Sequence, residues 1–167
     1  MTVGIYYATT TGKTEDVADR LHSFISSAEA PKDVSDVDDL SELEGLDGII
    51  CGIPTWNTGA DEERSGTAWD SILEDIGELS LSGKKVAIFG LGDSSTYTEN
   101  YCDAMEELHS YFIKAGAEMV GYVDKSSYTF DESKSVIGES FCGLPLDEDS
   151  ESDLTDSRLE KWASQLK

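Results

Sequence analysis

"DGIICGIP", residues 47–54, is a strand-length run that stays apolar at almost every step. A strand with one wetted face alternates apolar and polar side chains. A run without that alternation must be covered on both faces, as in a parallel sheet between helical layers. "KKVAIFGLGD", residues 84–93, repeats the pattern, and "VGIYY", residues 3–7, supplies a first buried strand. Between these runs the period becomes helical. "EDVADRLHSFI", residues 15–25, puts Val17, Ala18, Leu21, Phe24 and Ile25 on one stripe. "GTAWDSILEDIGEL", residues 66–79, reads as helix, and residues 100–116 form an amphipathic helix that ends at a glycine stop.

The weaker segments complete an alternation of strands and helices. A second strand is expected in residues 32–37, and no more than a short helix in "DDLSELEGL", residues 38–46. "EMVGYVD", residues 118–124, opens a fifth strand, and "SDLTDSRLEKWASQL", residues 152–166, gives a last helix that Ser152 or Asp153 can cap. Residues 125–144 have no helical period and read as an excursion that interrupts the fifth strand, which resumes at "CGLPLD", residues 142–147. The excursion is either a flap that supports the last strand or a docking surface. The fold class is α/β, a three-layer α/β/α sandwich with right-handed crossovers, in one domain over residues 1–167.

Composition narrows the partners. Thirty-five acidic residues against 12 basic ones give a formal charge of -23. Such a surface repels nucleic acid and anionic membranes and favours a basic protein partner met by electrostatic steering; simple solubility is the competing reading. Cys51, Cys102 and Cys142 show no metal-ligand spacing, and with only two histidines a histidine-rich metal site is excluded. Reduced thiols, no membrane-length apolar run and no basic-flanked signal segment point to a soluble protein in a reducing compartment.

In an open parallel sheet, ligands bind outside the carboxyl ends of the strands. Three loops leave those ends. "YATTTGKTE", residues 7–15, carries threonine hydroxyls into a helix N-terminus, whose free N–H groups and dipole hold an anion without net positive charge. Its "GKT" evokes a nucleoside triphosphate loop, but that motif needs glycine five positions before Gly12, where Tyr7 stands. A ligand-free threonine-capped helix start is the alternative. "PTWNTGADEERSG", residues 54–66, sets Trp56 directly after a strand end, as a stacking surface or as a lid on the core. "GLGDSSTYTENYCDA", residues 90–104, sets Tyr97 in a polar loop. A phosphate nest between two aromatic loops suits a planar ring carrying one phosphate, as in flavin mononucleotide (FMN).

"TTTGKTE" (residues 9–15), "PTWNTG" (residues 54–59) and "GLGDSSTYTENYCDA" together resemble the cofactor loops of the flavodoxins, and the likeness runs through the closing residues 143–166. The interrupted fifth strand resembles the long-chain subgroup, in forms similar to those of cyanobacteria and algae. The resemblance implies a five-stranded parallel sheet in the order 2-1-3-4-5, taken from the family rather than from periodicity. It implies non-covalent FMN, with Thr9, Thr10, Thr11, Gly12, Lys13 and Thr14 around the phosphate and the Lys13 backbone N–H contributing more than its ammonium. Pro54 and Thr55 would lead into Trp56, which covers one face of the isoalloxazine while Tyr97 covers the other. Asn57, Thr58 and Gly59 would form the turn beside flavin N5, where a peptide flips on one-electron reduction. Gly92, Asp93, Asn100 and Cys102, with the intervening Tyr101, would meet the pyrimidine edge, and Asp147 would approach the ribityl or phosphate side. Cys102 is then either a reactive thiol or a packed neighbour of Tyr101.

The implied role is a low-potential one-electron carrier that shuttles between semiquinone and hydroquinone. It would be a monomer in the plastid stroma or bacterial cytoplasm, substituting for ferredoxin between photosystem I and ferredoxin-NADP reductase. Carboxylates at Asp61, Glu62, Glu63, Asp93, Glu99 and Asp103 would make the anionic hydroquinone costly, more so at low dielectric. The chain itself contributes no acid, base or nucleophile, so it is a carrier rather than an enzyme. An FMN-dependent NAD(P)H oxidoreductase of the same fold is the alternative; no second nucleotide motif supports it, and the acidity would repel a dinucleotide. A receiver-like signalling module should show acidic residues after the first strand, where this chain has Ala8 and threonines. One departure stands out: "GADEERSGTAWD", residues 59–70, is more acidic and longer than in many cyanobacterial relatives.

Overall fold

Side chains alternate about each strand, so a strand apolar at every position feeds two cores at once. The computed structural model, which describes residues 2–58 and 60–166, shows this arrangement. Strands β1 (Val3–Tyr7), β2 (Lys32–Asp33), β3 (Gly48–Pro54), β4 (Lys85–Leu91) and β5 (Glu118–Val120) form a parallel sheet in the order 2-1-3-4-5. Ile5, Tyr7, Ile50, Ala87 and Phe89 enter one buried cluster, while Tyr6, Ile49, Cys51, Ile53, Val86 and Ile88 enter the other. Helices α1 (Lys13–Phe24) and α4 (Thr155–Leu166) close the first face through Val17, Leu21, Leu159 and Trp162. On the second face α2 (Trp69–Gly77) and α3 (Ala104–Lys114) contribute Trp69, Ile76, Leu108 and Phe112.

The interruption of the fifth strand is directly visible. β5 pairs with residues 85–87 of β4, and β9 (Leu144–Leu146) pairs with residues 89–91 of the same strand, so two short pieces share one edge. Between them β6 (Val123–Asp124), β7 (Val136–Ile137) and β8 (Ser140–Phe141) make a separate antiparallel sheet in the order 6-8-7. The excursion is pinned by its own aromatic cluster. Phe141 lies 5.1 Å from Phe130, 5.3 Å from Tyr128 and 6.0 Å from Tyr101, between ring centroids.

Three boundaries differ from the sequence expectation. β2 holds two residues, because the Asp33 carboxylate accepts the Ser35 N–H at 2.9 Å and turns the chain into a 3-10 helix, Val34–Asp36. α3 begins at Ala104 rather than near Asn100; Cys102 sits at φ 53°, which no right-handed helix accommodates. Neither Ser152 nor Asp153 caps α4. Both lie inside a 3-10 turn, Ser152–Leu154, whose Leu154 N–H is satisfied by the Glu151 carbonyl at 2.9 Å. Among the described residues no helix is long and apolar enough to cross a membrane.

Candidate functional site

Every chain segment that leaves β1, β3, β4 and β9 at its carboxyl end arrives at one crevice of about 260 Å³. Thr9, Thr11, Lys13 and Thr14 line it from the first loop; Pro54, Thr55 and Trp56 from the second; Leu91, Gly92, Asp93, Thr96 and Tyr97 from the third; Glu148 and Asp149 from the fourth.

The first loop is shaped by its own hydroxyls. Thr9 Oγ1 accepts the Gly12 N–H at 2.8 Å, and Gly12 adopts φ 88°, a left-handed conformation that glycine takes without strain. α1 starts directly after it, so the loop and the first turn of the helix direct backbone N–H groups to the same end of the crevice. Thr14 is buried there, whereas Thr10 is exposed and is not on the wall. The Lys13 ammonium is engaged by Asp149 rather than left free. Arg20 likewise pairs with Glu148, so both carboxylates on this wall are met by a cation from α1.

The other walls carry the rings. Trp56 and Tyr97 are 50% and 49% exposed, so neither is a core residue folded back on the sheet. Trp56 follows Thr55, whose N–H donates to the Leu91 carbonyl at 3.1 Å and whose Oγ1 accepts the Ala104 N–H at 3.0 Å. Tyr97 is held by its N–H on the Asp93 carbonyl at 2.9 Å, and Gly92 by its N–H on the Leu146 carbonyl at 3.0 Å.

Asp93 gathers the third loop. Its Oδ1 accepts the Ser95 N–H (3.1 Å), Ser95 Oγ (3.0 Å), the Thr96 N–H (3.0 Å) and Ser150 Oγ (3.1 Å). Partial burial alone would raise this carboxyl, but the hydrogen bonds from Thr96, Ser95 and Ser150 outweigh it and hold the group at about 2. The folded value lies below the unfolded one of about 3.9. Ionised Asp93 therefore stabilises the fold above about pH 4, and that contribution drains away as pH falls towards about 2. Asp93→Asn is expected to lower the urea midpoint at pH 7 and to lose that deficit progressively as pH falls from about 4 towards about 2. A deficit constant over this range would contradict the assignment.

Of the remaining residues expected at the site, the described ones lie off the crevice wall. Asn57 and Thr58 are not on the crevice wall, and Asn57 Nδ2 donates to the Glu63 carbonyl at 2.7 Å. Gly59 lies outside the described residues. Asn100 opens onto a different, wider hollow beside the excursion, which it shares with Lys125, Phe130 and Lys134. Tyr101 and Cys102 are buried in the core. Burial pushes the Cys102 thiol up, which gives it the character of an inert packed thiol rather than a reactive one. Asp147 is fully buried behind the crevice, where its carboxylate ties the third loop to the fourth. Sequence reading missed Leu91, Thr96, Glu148 and Asp149 on the wall. The two acidic ones sit in "LDEDSES", residues 146–152, a charge run that by itself reads as solvated surface.

Comparison with known proteins agrees with this geometry. The family model described as Flavodoxin matches residues 5–162. The flavodoxin of Synechococcus elongatus is 38% identical over 99% of this chain and 95% of that protein. A Nostoc flavodoxin is 37% identical over the same shares. The crystal structure of Fusobacterium nucleatum flavodoxin bound to flavin mononucleotide superposes with a TM-score of 0.88 at 28% identity, covering 99% of this chain and 96% of that one. With the strand order, the interrupted edge and the loop-lined crevice already in view, these matches over nearly the full length establish that the chain belongs to the flavodoxin family.

Proposed function

We propose that the crevice holds FMN non-covalently and that the protein carries single electrons between other redox proteins. One observation carries this reading: a threonine-rich helix N-terminus and two half-exposed aromatic rings line the same crevice at the carboxyl edge of the sheet. The donor set fits the group. Hydroxyls of Thr9, Thr11 and Thr14 with neighbouring backbone N–H groups suit a phosphate, and Trp56 and Tyr97 offer flat faces to an isoalloxazine. FMN, when bound, supplies the one-electron redox chemistry. The chain's part is to orient the ring, shield it from water and surround it with carboxylates that disfavour added negative charge. Asp93 is held ionised on the crevice wall and is the carboxylate that serves this, whereas Glu148 and Asp149 are each paired with a cation of α1.

The partners follow from charge. A net charge of -23 favours basic docking faces, with association slowing as salt screens the attraction. Together with 38% identity to a cyanobacterial flavodoxin, this supports work between photosystem I and ferredoxin-NADP reductase, in a plastid stroma or bacterial cytoplasm. Anaerobic dithionite titration of the FMN-loaded protein tests the carrier reading. A long-wavelength absorption band is expected to rise and then fall before complete bleaching. Bleaching in one step, or rapid reduction by NADPH with no reductase present, would overturn it.

A further inference from the structure

Among the described residues Arg64 is the one arginine or lysine that is buried, at 7% exposure. A buried cation is costly unless its donors are met, and here they are met in an unusual way. In a chain with 35 acidic residues, three of the four acceptors of this guanidinium among the described residues are backbone carbonyls: Ala60 at 3.2 Å, Asp61 at 3.0 Å and Asp103 at 3.1 Å. Only the fourth, Glu106 Oε1 at 3.1 Å, is a carboxylate. The side chain therefore gathers its own loop and fastens it to the start of α3.

The main chain of the same residue is used just as fully. Its N–H, at 3.0 Å, and that of Glu63, at 2.8 Å, donate to the buried carboxylate of Glu107 on α3. Its carbonyl accepts the N–H groups of Trp56, at 3.1 Å, and Asn57, at 2.9 Å. Trp56 has half its surface in solvent and gains little hold from the core. What fixes its backbone on this side is Arg64, and what fixes Arg64 is α3.

We infer that Arg64, seated on Glu107 and Glu106, is the positioning residue for the Trp56 wall of the crevice. The long acidic loop is thus an anchored support for the aromatic ring. This inference rests on the FMN reading above and concerns only the ring end of the site. The phosphate loop, which leaves β1, shares none of these bonds.

The test measures binding of riboflavin and of FMN to the full-length apoprotein by flavin fluorescence quenching, for wild type, Arg64→Gln, Arg64→Lys and Glu107→Gln. Loss of a well-placed stacking face predicts about tenfold weaker binding for Arg64→Gln, by the same factor for both ligands, because the phosphate contribution is untouched. Glu107→Gln should act in the same direction, and Arg64→Lys should fall between. A second readout needs no flavin. Trp69 and Trp162 are buried at 0% and 1% exposure, so acrylamide quenching of the apoprotein reports chiefly on Trp56 and should rise in these variants. A lower melting temperature with unchanged riboflavin affinity and unchanged quenching would overturn the inference, leaving Arg64 a stability residue only. A loss confined to FMN would overturn it as well. Should Arg64→Gln fail to fold, Arg64→Lys and Glu107→Gln decide by the same measurements. Failure of the FMN reading itself shows separately, as wild-type protein that binds neither ligand.

Discussion

Asp147→Asn is expected to cost about 2–3 kcal/mol of unfolding free energy, read as a lowered urea midpoint with the slope unchanged. The carboxylate is fully buried and accepts four bonds. Oδ2 takes the Ser94 N–H at 2.9 Å and Ser94 Oγ at 2.6 Å, and Oδ1 takes the N–H groups of Asp149 at 2.9 Å and Ser150 at 2.7 Å. Every neighbour is a donor. An asparagine keeps one acceptor oxygen and turns an NH₂ towards the other pair of donors, so in either orientation at least one backbone N–H loses its acceptor. Because these loops carry Asp93, Tyr97 and Asp149 to the crevice, ligand affinity should fall with stability. A midpoint within error of wild type would show that the four donors find other partners, and Asp147 would then not be the tie between the loops.

Gly143→Ala is expected to be more severe, with a loss of about 4 kcal/mol or more and little folded protein at 37 °C. Gly143 is the residue at which the chain returns from the excursion to the main sheet. A Cβ there would lie 2.1 Å from the Ile88 carbonyl oxygen and 2.9 Å from the Ile88 carbonyl carbon. These are backbone atoms of the interior strand β4, so no side-chain rotation relieves the overlap. The return strand β9 would have to move off β4, taking with it Leu144 and Leu146, which are buried in the α1/α4 core. Thermal melting followed by circular dichroism checks this. A melting point within a few degrees of wild type would mean that β9 does not depend on this close approach.

The ease of reading this chain varied with how local the determining physics is. "DGIICGIP" and "KKVAIFGLGD" have no polar alternation to hide, so their burial on both faces follows from composition along a few residues. The resumption of the fifth strand at residues 142–147 was legible for the same reason. The two-residue β2 was not, because an Asp33–Ser35 side-chain bond outweighs a weak apolar pattern. Nor was the late start of α3, where one positive φ at Cys102 overrides a helical stripe.

At the crevice, the elements that belong to a local motif were visible in the sequence: the threonines leading to Gly12, the strand-end Trp56 and the loop Tyr97. Those that depend on which distant segments meet were not. Asp149 reaches Lys13 across 136 positions and Glu107 reaches Arg64 across 43. In sequence these are ordinary members of acidic runs, and Asp147 is one more carboxylate among them. The layered fold, the carboxyl-edge crevice and the aromatic character of its Trp56 and Tyr97 loops follow from residue order alone, because hydrophobic period and strand-end loops are written residue by residue. Which charges are buried as fasteners and which face solvent is settled by contacts between distant segments. That depends on the desolvation and donor geometry created when the loops of four strands and the first turns of α3 converge.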